Sequence, residues 1–236
     1  MRRLLACIKA DVYLQIKYGF YAVYGIITIV YILLLKQAAI ASLKTLVPMI
    51  VFSDPSMLGF FFIGGLVLLE KSENTLEYIA ATPLRISEYL ISKMISLSLL
   101  ALLASFAVTL FSYPGDIHLG QLTIGVVLTS FFFILVGFIA VARFNTVNEY
   151  MLSSIVYITF LFLPLLDYFG LWRSWIFYFF PTQAALVLIG GAFQTLASWK
   201  VAYSIGSLLL WIGAAFPVAH RGFYRFIVLK EERRIS

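Results

Sequence analysis

Six apolar runs, each about as long as a bilayer is thick, dominate this chain, and its charged residues stand mostly in the breaks between them. The runs fall at about 19–35, 48–69, 89–111, 119–142, 150–166 and 198–217. A helix needs about 20 predominantly apolar residues to cross the hydrocarbon core, where every backbone polar group must be bonded within the segment. Soluble domains are near half apolar and about a quarter charged. Here 62% of residues are hydrophobic and 12% charged, with a mean hydropathy of +0.99. Water cannot wet such a surface. The composition excludes a soluble enzyme, a disordered tail and a conventional nucleic-acid binder. It leaves an all-α, polytopic membrane protein, a single transmembrane domain over residues 1–236. No soluble domain of about 100 residues fits between the runs, so any nucleotide chemistry belongs on another chain.

Basic residues set the orientation. Arg2, Arg3, Lys9 and Lys17 precede the first run; Lys71, Arg85 and Lys93 follow the second; Arg143 follows the fourth; and Arg221, Arg225, Lys230, Arg233 and Arg234 lie in the tail. With alternate crossings all thirteen share one side, and Lys36, Lys44, Arg173 and Lys200 make four on the other. Lys and Arg are retained on the cytoplasmic side, so both termini are expected in the cytoplasm and the number of spans is even. Six fits. This dispersal along one membrane face also argues against a nucleic-acid surface, which gathers its charge in one patch with stacking aromatics.

The ends of the chain and the segment before the last run carry their own signals. Residues 1–18 are too charged to span. At 100° per residue Leu5, Ile8, Val12 and Ile16 share a face, with Arg2, Arg3, Lys9 and Lys17 on a neighbouring arc. That pattern predicts an interfacial elbow helix, its basic side near anionic headgroups. Between Asp167 and Pro181 eight residues are aromatic, a density that belongs at a membrane–water interface. Ala184 to Ile189 is too short to cross, so residues 168–196 are expected to form outer interfacial or re-entrant helices. Residues 220–236 form a basic cytoplasmic tail.

Catalytic and metal-binding patterns are missing. The sequence has no HExxH, CxxC, GxSxG or phosphate-loop motif. Cys7 is the single cysteine, and His118 and His220 fall in breaks expected on opposite sides. The chain is therefore expected not to be an enzyme, and to hold no metal and no cofactor of its own.

The most polar stretch between the termini, residues 70–88, is the most informative. In helical phase Glu70, Glu73 and Glu77 share one narrow sector, with Leu69, Leu76, Ile79 and Ala80 roughly opposite. Thr82-Pro83 interrupts this helix, since proline disfavours helical geometry in the residue before it and suits a first helical turn. Leu84, Arg85, Ile86 and Ser87 then start a second turn. A two-sided cytoplasmic elbow of this kind suits a protein partner; the other reading is a solvated loop.

Residues 54–93 resemble the second span and first cytoplasmic loop of type-two ABC-transporter permeases. That family carries a Glu at the end of the span, then Thr-x-Glu, Thr-Pro-Leu and Tyr-Leu-x-x-Lys. Here these are Glu70, Thr75-Leu76-Glu77, Thr82-Pro83-Leu84 and Tyr89-Leu90-Ile91-Ser92-Lys93. The likeness is closest to the fluoroquinolone-exporter branch, in which an Asp-Pro opens the second span, here Asp54-Pro55. The layout of elbow, six spans and short helices entered by Phe180-Pro181-Thr182 agrees over nearly the whole chain.

The resemblance implies a half-transporter in the cytoplasmic membrane that pairs with a second permease copy or paralogue. It also implies a separate ABC ATPase subunit that holds ATP and magnesium. The segment 70–88 would dock in that ATPase, with Glu70, Glu73, Thr75, Leu76, Glu77, Ile79, Thr82, Pro83, Leu84 and Arg85 as its coupling residues. The N-terminal helix and residues 143–149 would make secondary contacts. The cargo would be an amphiphilic, drug-like small molecule moved outward. A lipid or peptide cargo, or a self-contained ion-gradient-driven carrier, are the alternatives; carriers of that kind usually show broken helices at the midplane.

One carboxylate lies inside a run. Asp54, with Phe60, Phe61 and Phe62, suits a path for a flat amphiphilic cargo. The other reading is that Asp54 caps a helix break at Pro55 while the phenylalanines face lipid. The first holds that an intramembrane charge faces protein or water because it is costly elsewhere.

Overall fold

The structure, a computed structural model, describes residues 2–73 and 84–235. Among these every regular element is helical. Helix α1 (Arg2–Lys17) is followed by α2 (Phe20–Gln37) and α3 (Ile40–Ser53). A single wide π-turn (Asp54–Leu58) then joins α3 to α4 (Gly59–Ser72). Beyond residue 84 come α5 (Ile86–Ser112), α6 (Leu119–Val141), α7 (Val147–Leu161) and the short α8 (Leu165–Tyr168). A 3-10 turn (Trp175–Phe179), α9 (Pro181–Gly190) and the long α10 (Ser198–Ile235) complete the chain.

Among the described residues five stretches are long and apolar enough to cross a membrane: Phe20–Gln37, Ser42–Ser72, Ile86–Ser112, Leu119–Val141 and Ser198–Arg225. They match the first, second, third, fourth and last runs of the sequence. The run at 150–166 behaves differently. It forms α7, 15 residues long, or about 22 Å at 1.5 Å per residue, which is short of a ~30 Å core. A turn at 162–164 then leads through Pro164 into α8. The two ends of this broken unit are nonetheless tied to opposite ends of the second span. Lys71 Nζ donates to Asn145 Oδ1 at 2.8 Å just before α7, and the Tyr168 hydroxyl donates to the Thr45 carbonyl at 2.9 Å after it.

Helix α6 is the hub, packing against α3, α4, α5, α7, α9, α10 and the π-turn. It carries no charge, and it has glycines where neighbours come closest. A Cβ on Gly137 would stand 2.3 Å from the Ile63 Cγ2 atom and 3.0 Å from the Phe60 carbonyl oxygen of α4. Between helices in a membrane small residues permit this approach, and packing rather than water exclusion holds the pair together.

Helix α9 is ten residues long and nearly all buried, against α3, α6 and α10. Proline at its first position costs no hydrogen bond. The aromatic segment before it is the exposed part, with Trp172, Trp175 and Phe179 facing outward. The His118 amide donates to the Ala192 carbonyl at 2.9 Å, which ties the end of α9 to the start of α6.

Helix α1 is separated from α2 by Gly19, whose left-handed backbone (φ 77°) suits a residue without a Cβ. Leu5 and Ile16 are exposed, whereas Asp11 and Gln15 are buried against α5. The helix docks through a polar edge and leaves apolar side chains outward.

Candidate functional site

The reason for that polar edge lies at the ends of α4 and α5. Lys93 is fully buried, 0% exposed, and sits between two carboxylates, Asp11 at 4% and Glu70 at 2%. The Lys93 ammonium donates to Asp11 Oδ1 at 2.6 Å and to Glu70 Oε1. The Ser92 hydroxyl donates to Asp11 Oδ2, and the Tyr89 hydroxyl to Glu70 Oε2. All four carboxylate oxygens thus have a donor. A buried network is stabilising only when its members are satisfied in this way. Gln15 extends it by donating to the Ser96 hydroxyl at 2.8 Å.

Spacing brings these groups together. Tyr89, Ser92, Lys93 and Ser96 recur at i, i+3, i+4 and i+7 on α5, and Asp11 and Gln15 at i and i+4 on α1, so each set lies on one helix face. The aromatic ring of Tyr89 carries the connection further. It stacks on Phe223 of α10 with centroids 5.1 Å apart and meets Phe138 of α6 edge-on at 6.0 Å. One buried centre therefore joins α1, α4 and α5, and through Tyr89 reaches α6 and α10.

Two peripheral groups border the centre. The Cys7 thiol has its pKa pushed up, by burial first of all. The Tyr18 phenol is pushed up to about 12, chiefly because it donates to Glu73 Oε2 at 2.6 Å. A bonded phenol of that kind stays protonated at any physiological pH.

The centre revises one expectation. Glu70 does not share an open acidic face with Glu73: Glu73 is exposed, while Glu70 is turned inward to Lys93 and Tyr89. The physical reason is that Lys93 and the Tyr89 hydroxyl both donate to its carboxylate there. Glu70 is thus an internal anchor at the point where the polar segment leaves α4. On the return side the Arg85 amide donates to Glu88 Oε2 at 3.0 Å, capping α5, and Leu84 packs against the core. Thr75, Leu76, Glu77, Ile79, Thr82 and Pro83 lie outside the described residues. Asp11 and Lys93 were absent from the expected coupling set; the matched polar stripes on two otherwise amphipathic or apolar helices are the signal that points to them.

The expected substrate-path residues occupy different surroundings. Asp54 is 3% exposed and neither carboxylate oxygen has a hydrogen-bond partner. Phe60 is buried and stacks on Tyr150 of α7 with centroids 5.6 Å apart. The Tyr150 hydroxyl donates to the Phe60 carbonyl at 2.7 Å. Phe61 meets the edge of Phe60. Phe62 turns the other way, against Phe20 and Tyr24 of α2. The three rings thus pack in two directions rather than around one space. Among the described residues no group of three or more His, Cys, Asp or Glu side chains is arranged to hold a metal ion.

Comparison with known proteins gives a single answer. The model of the fluoroquinolones export permease protein family matches residues 2–231. Fluoroquinolones export permease proteins from two strains of Mycobacterium tuberculosis are each 29% identical over 231 residues, covering 97% of this chain and 98% of theirs.

Proposed function

We propose, from the premise that this chain belongs to the fluoroquinolones export permease protein family, that it is the membrane half of an ATP-driven exporter of amphiphilic drug-like molecules. ATP and magnesium belong to a separate ABC ATPase subunit, and two permeases form the transport unit. The observation that carries this reading is the buried Asp11–Lys93–Glu70 centre. It holds the two roots of the cytoplasmic segment, the end of α4 and the start of α5, against α1. A force applied to residues 73–85 is thereby delivered to three helices at once rather than dissipated in a loop.

The proposed topology has six crossings, the broken unit α7–α8 being the sixth; hydrogen bonds from its two ends to Lys71 and Thr45, near opposite ends of the second span, support that reading. Six crossings return both termini to the cytoplasm, in accord with the distribution of basic residues. Helix α1 lies in the cytoplasmic interface, with exposed Leu5, Tyr13 and Ile16 toward lipid. A reporter fused at Gly191 should read as external and one at Ser236 as cytoplasmic; a cytoplasmic Gly191 would overturn the six-span arrangement.

The decisive experiment is purification of the tagged chain in detergent with identification of what accompanies it. A soluble ATPase should co-purify, and Leu76→Asp or Glu77→Lys should release it or lower coupled ATP hydrolysis several-fold while membrane insertion is unchanged. A chain that comes alone as a stable oligomer, or coupling unaffected by both substitutions, would remove the ATPase from the mechanism.

A further inference from the structure

The sequence treats its buried acids in two different ways. At the cytoplasmic end Asp11 and Glu70 have a donor for every oxygen, whereas Asp54 has none. An ionisable side chain at membrane depth is costly, and such residues mark ion or substrate pathways. The position of Asp54 fixes its depth. Helices α4 and α5 run antiparallel from the Glu70–Lys93 contact, so sixteen residues up each chain bring Asp54 level with Thr109, about 24 Å from that contact. The π-turn that carries Asp54 does pack against α5.

Asp54 does not act as a helix cap. A capping carboxylate accepts backbone N–H groups two or three residues on; here its oxygens accept nothing. Pro55 explains the local backbone instead. It lacks the N–H that would bond the Val51 carbonyl, and the helix widens into the π-turn Asp54–Leu58. Such turns are rare and recur at functional sites.

Helix α5, against which the π-turn packs, carries a row of buried hydroxyls. On α5 the hydroxyls of Ser105, Thr109 and Ser112 are buried and without partners, and at i, i+4 and i+7 they lie on one face. Ser112 also lines an open cavity of about 270 Å³ between the end of α5 and the α2–α3 turn. On α2, Tyr24 is buried against Leu100 and Ala104 of α5 and meets Phe62 of α4 edge-on. A lone carboxylate lacks the six or more oxygens, several of them charged, that a calcium or magnesium ion takes. It suits an ammonium group, which a single carboxylate neutralises and aromatic faces attract.

We propose that Asp54 is a binding site for an organic cation: its carboxylate holds the protonated amine of an amphiphilic cargo. The inference deepens the export reading above and rests on it for the class of cargo.

The test uses the full-length chain in lipid nanodiscs and two fluorescent probes, a piperazinyl fluoroquinolone and its N-acetyl derivative, in which the amide removes the basic nitrogen. The wild type should bind the amine at least about tenfold more tightly, since removing one partner of a buried charge pair weakens binding by that much or more. Asp54→Asn should bring the two affinities within about twofold, and Asp54→Glu should keep the preference for the amine. Equal binding of both probes by the wild type, or a preference that survives in Asp54→Asn, overturns the proposal and leaves the export reading standing. Binding of neither probe also overturns it, and co-purification of the ATPase then judges the export reading separately. The comparison of the two probes on the wild type needs no variant, so a poorly folded Asp54→Asn does not spare the proposal.

Discussion

Lys93→Met is expected to cost the fold about 3–5 kcal/mol, the loss that follows when a buried charge network is broken by removing one partner. The substitution keeps the length of the side chain, so the cavity term is small. What it leaves is Asp11 and Glu70 facing each other in a site that water does not reach. Thermal unfolding of the purified chain in detergent should register this as a large fall in the midpoint. Replacing all three charges together, as Lys93→Met with Asp11→Asn and Glu70→Gln, should recover most of the loss, because neutral groups leave no bare charge behind. A triple variant no more stable than Lys93→Met would show that the charges are not what holds the three helices together.

The triple variant also separates stability from coupling. If the centre only stabilises the bundle, a recovered fold recovers ATPase stimulation too. If it transmits movement, the variant folds but couples poorly, because Lys93 no longer grips α1 and α4 at once. The second outcome is expected. Wild-type stimulation in a well-folded triple variant would reduce the centre to a structural clamp.

How much of this was legible in the sequence differs by residue. Helix α6, which has no charge, and α2, whose one charge is Lys36 in its last turn, are plain from hydropathy because a membrane leaves them nothing else to be. Helix α7 is less plain: its apolar run continues through Pro164, and hydropathy does not register that a proline ends the regular helix there. Glu70 and Lys93 were both visible, one as a member of an acidic face and the other as a cytoplasmic basic residue. Their pairing was not, because it depends on how α4 and α5 are rotated about their axes, which an almost uniformly apolar helix does not encode. Asp11 was hidden for a related reason. On α1 the apolar face suits lipid, which satisfies apolar side chains as well as protein does, and the periodicity of those residues does not mark the polar edge that docks on α5. Asp54 was legible as an intramembrane acid, and only the structure separates the cap from the unpartnered carboxylate.

The same absence of a hydrophobic drive between helices in lipid makes close packing decisive at the hub. Gly137→Leu is therefore expected to be among the most damaging single changes in the membrane region. The first added carbon would already overlap Ile63 Cγ2 and press on the Phe60 carbonyl. That carbonyl also accepts the Tyr150 hydroxyl, and backbone cannot swing aside as a side-chain tip does. Helix α4 must then move away from α6. Overpacking a close contact costs roughly 1–3 kcal/mol and sometimes more. Here the displacement reaches both proposed working parts, because α4 carries Glu70 at one end and adjoins the π-turn of Asp54 at the other. Gly65→Leu is the control: it lies on the same helix α4, where an added Cβ meets nothing within 4 Å. Gly137→Leu should lower both the unfolding midpoint and ATPase stimulation, while Gly65→Leu leaves the midpoint near that of the wild type. Equal midpoints for the two variants would mean that α4 and α6 have room to separate, and that their contact does not hold the Glu70 anchor and Asp54 in register.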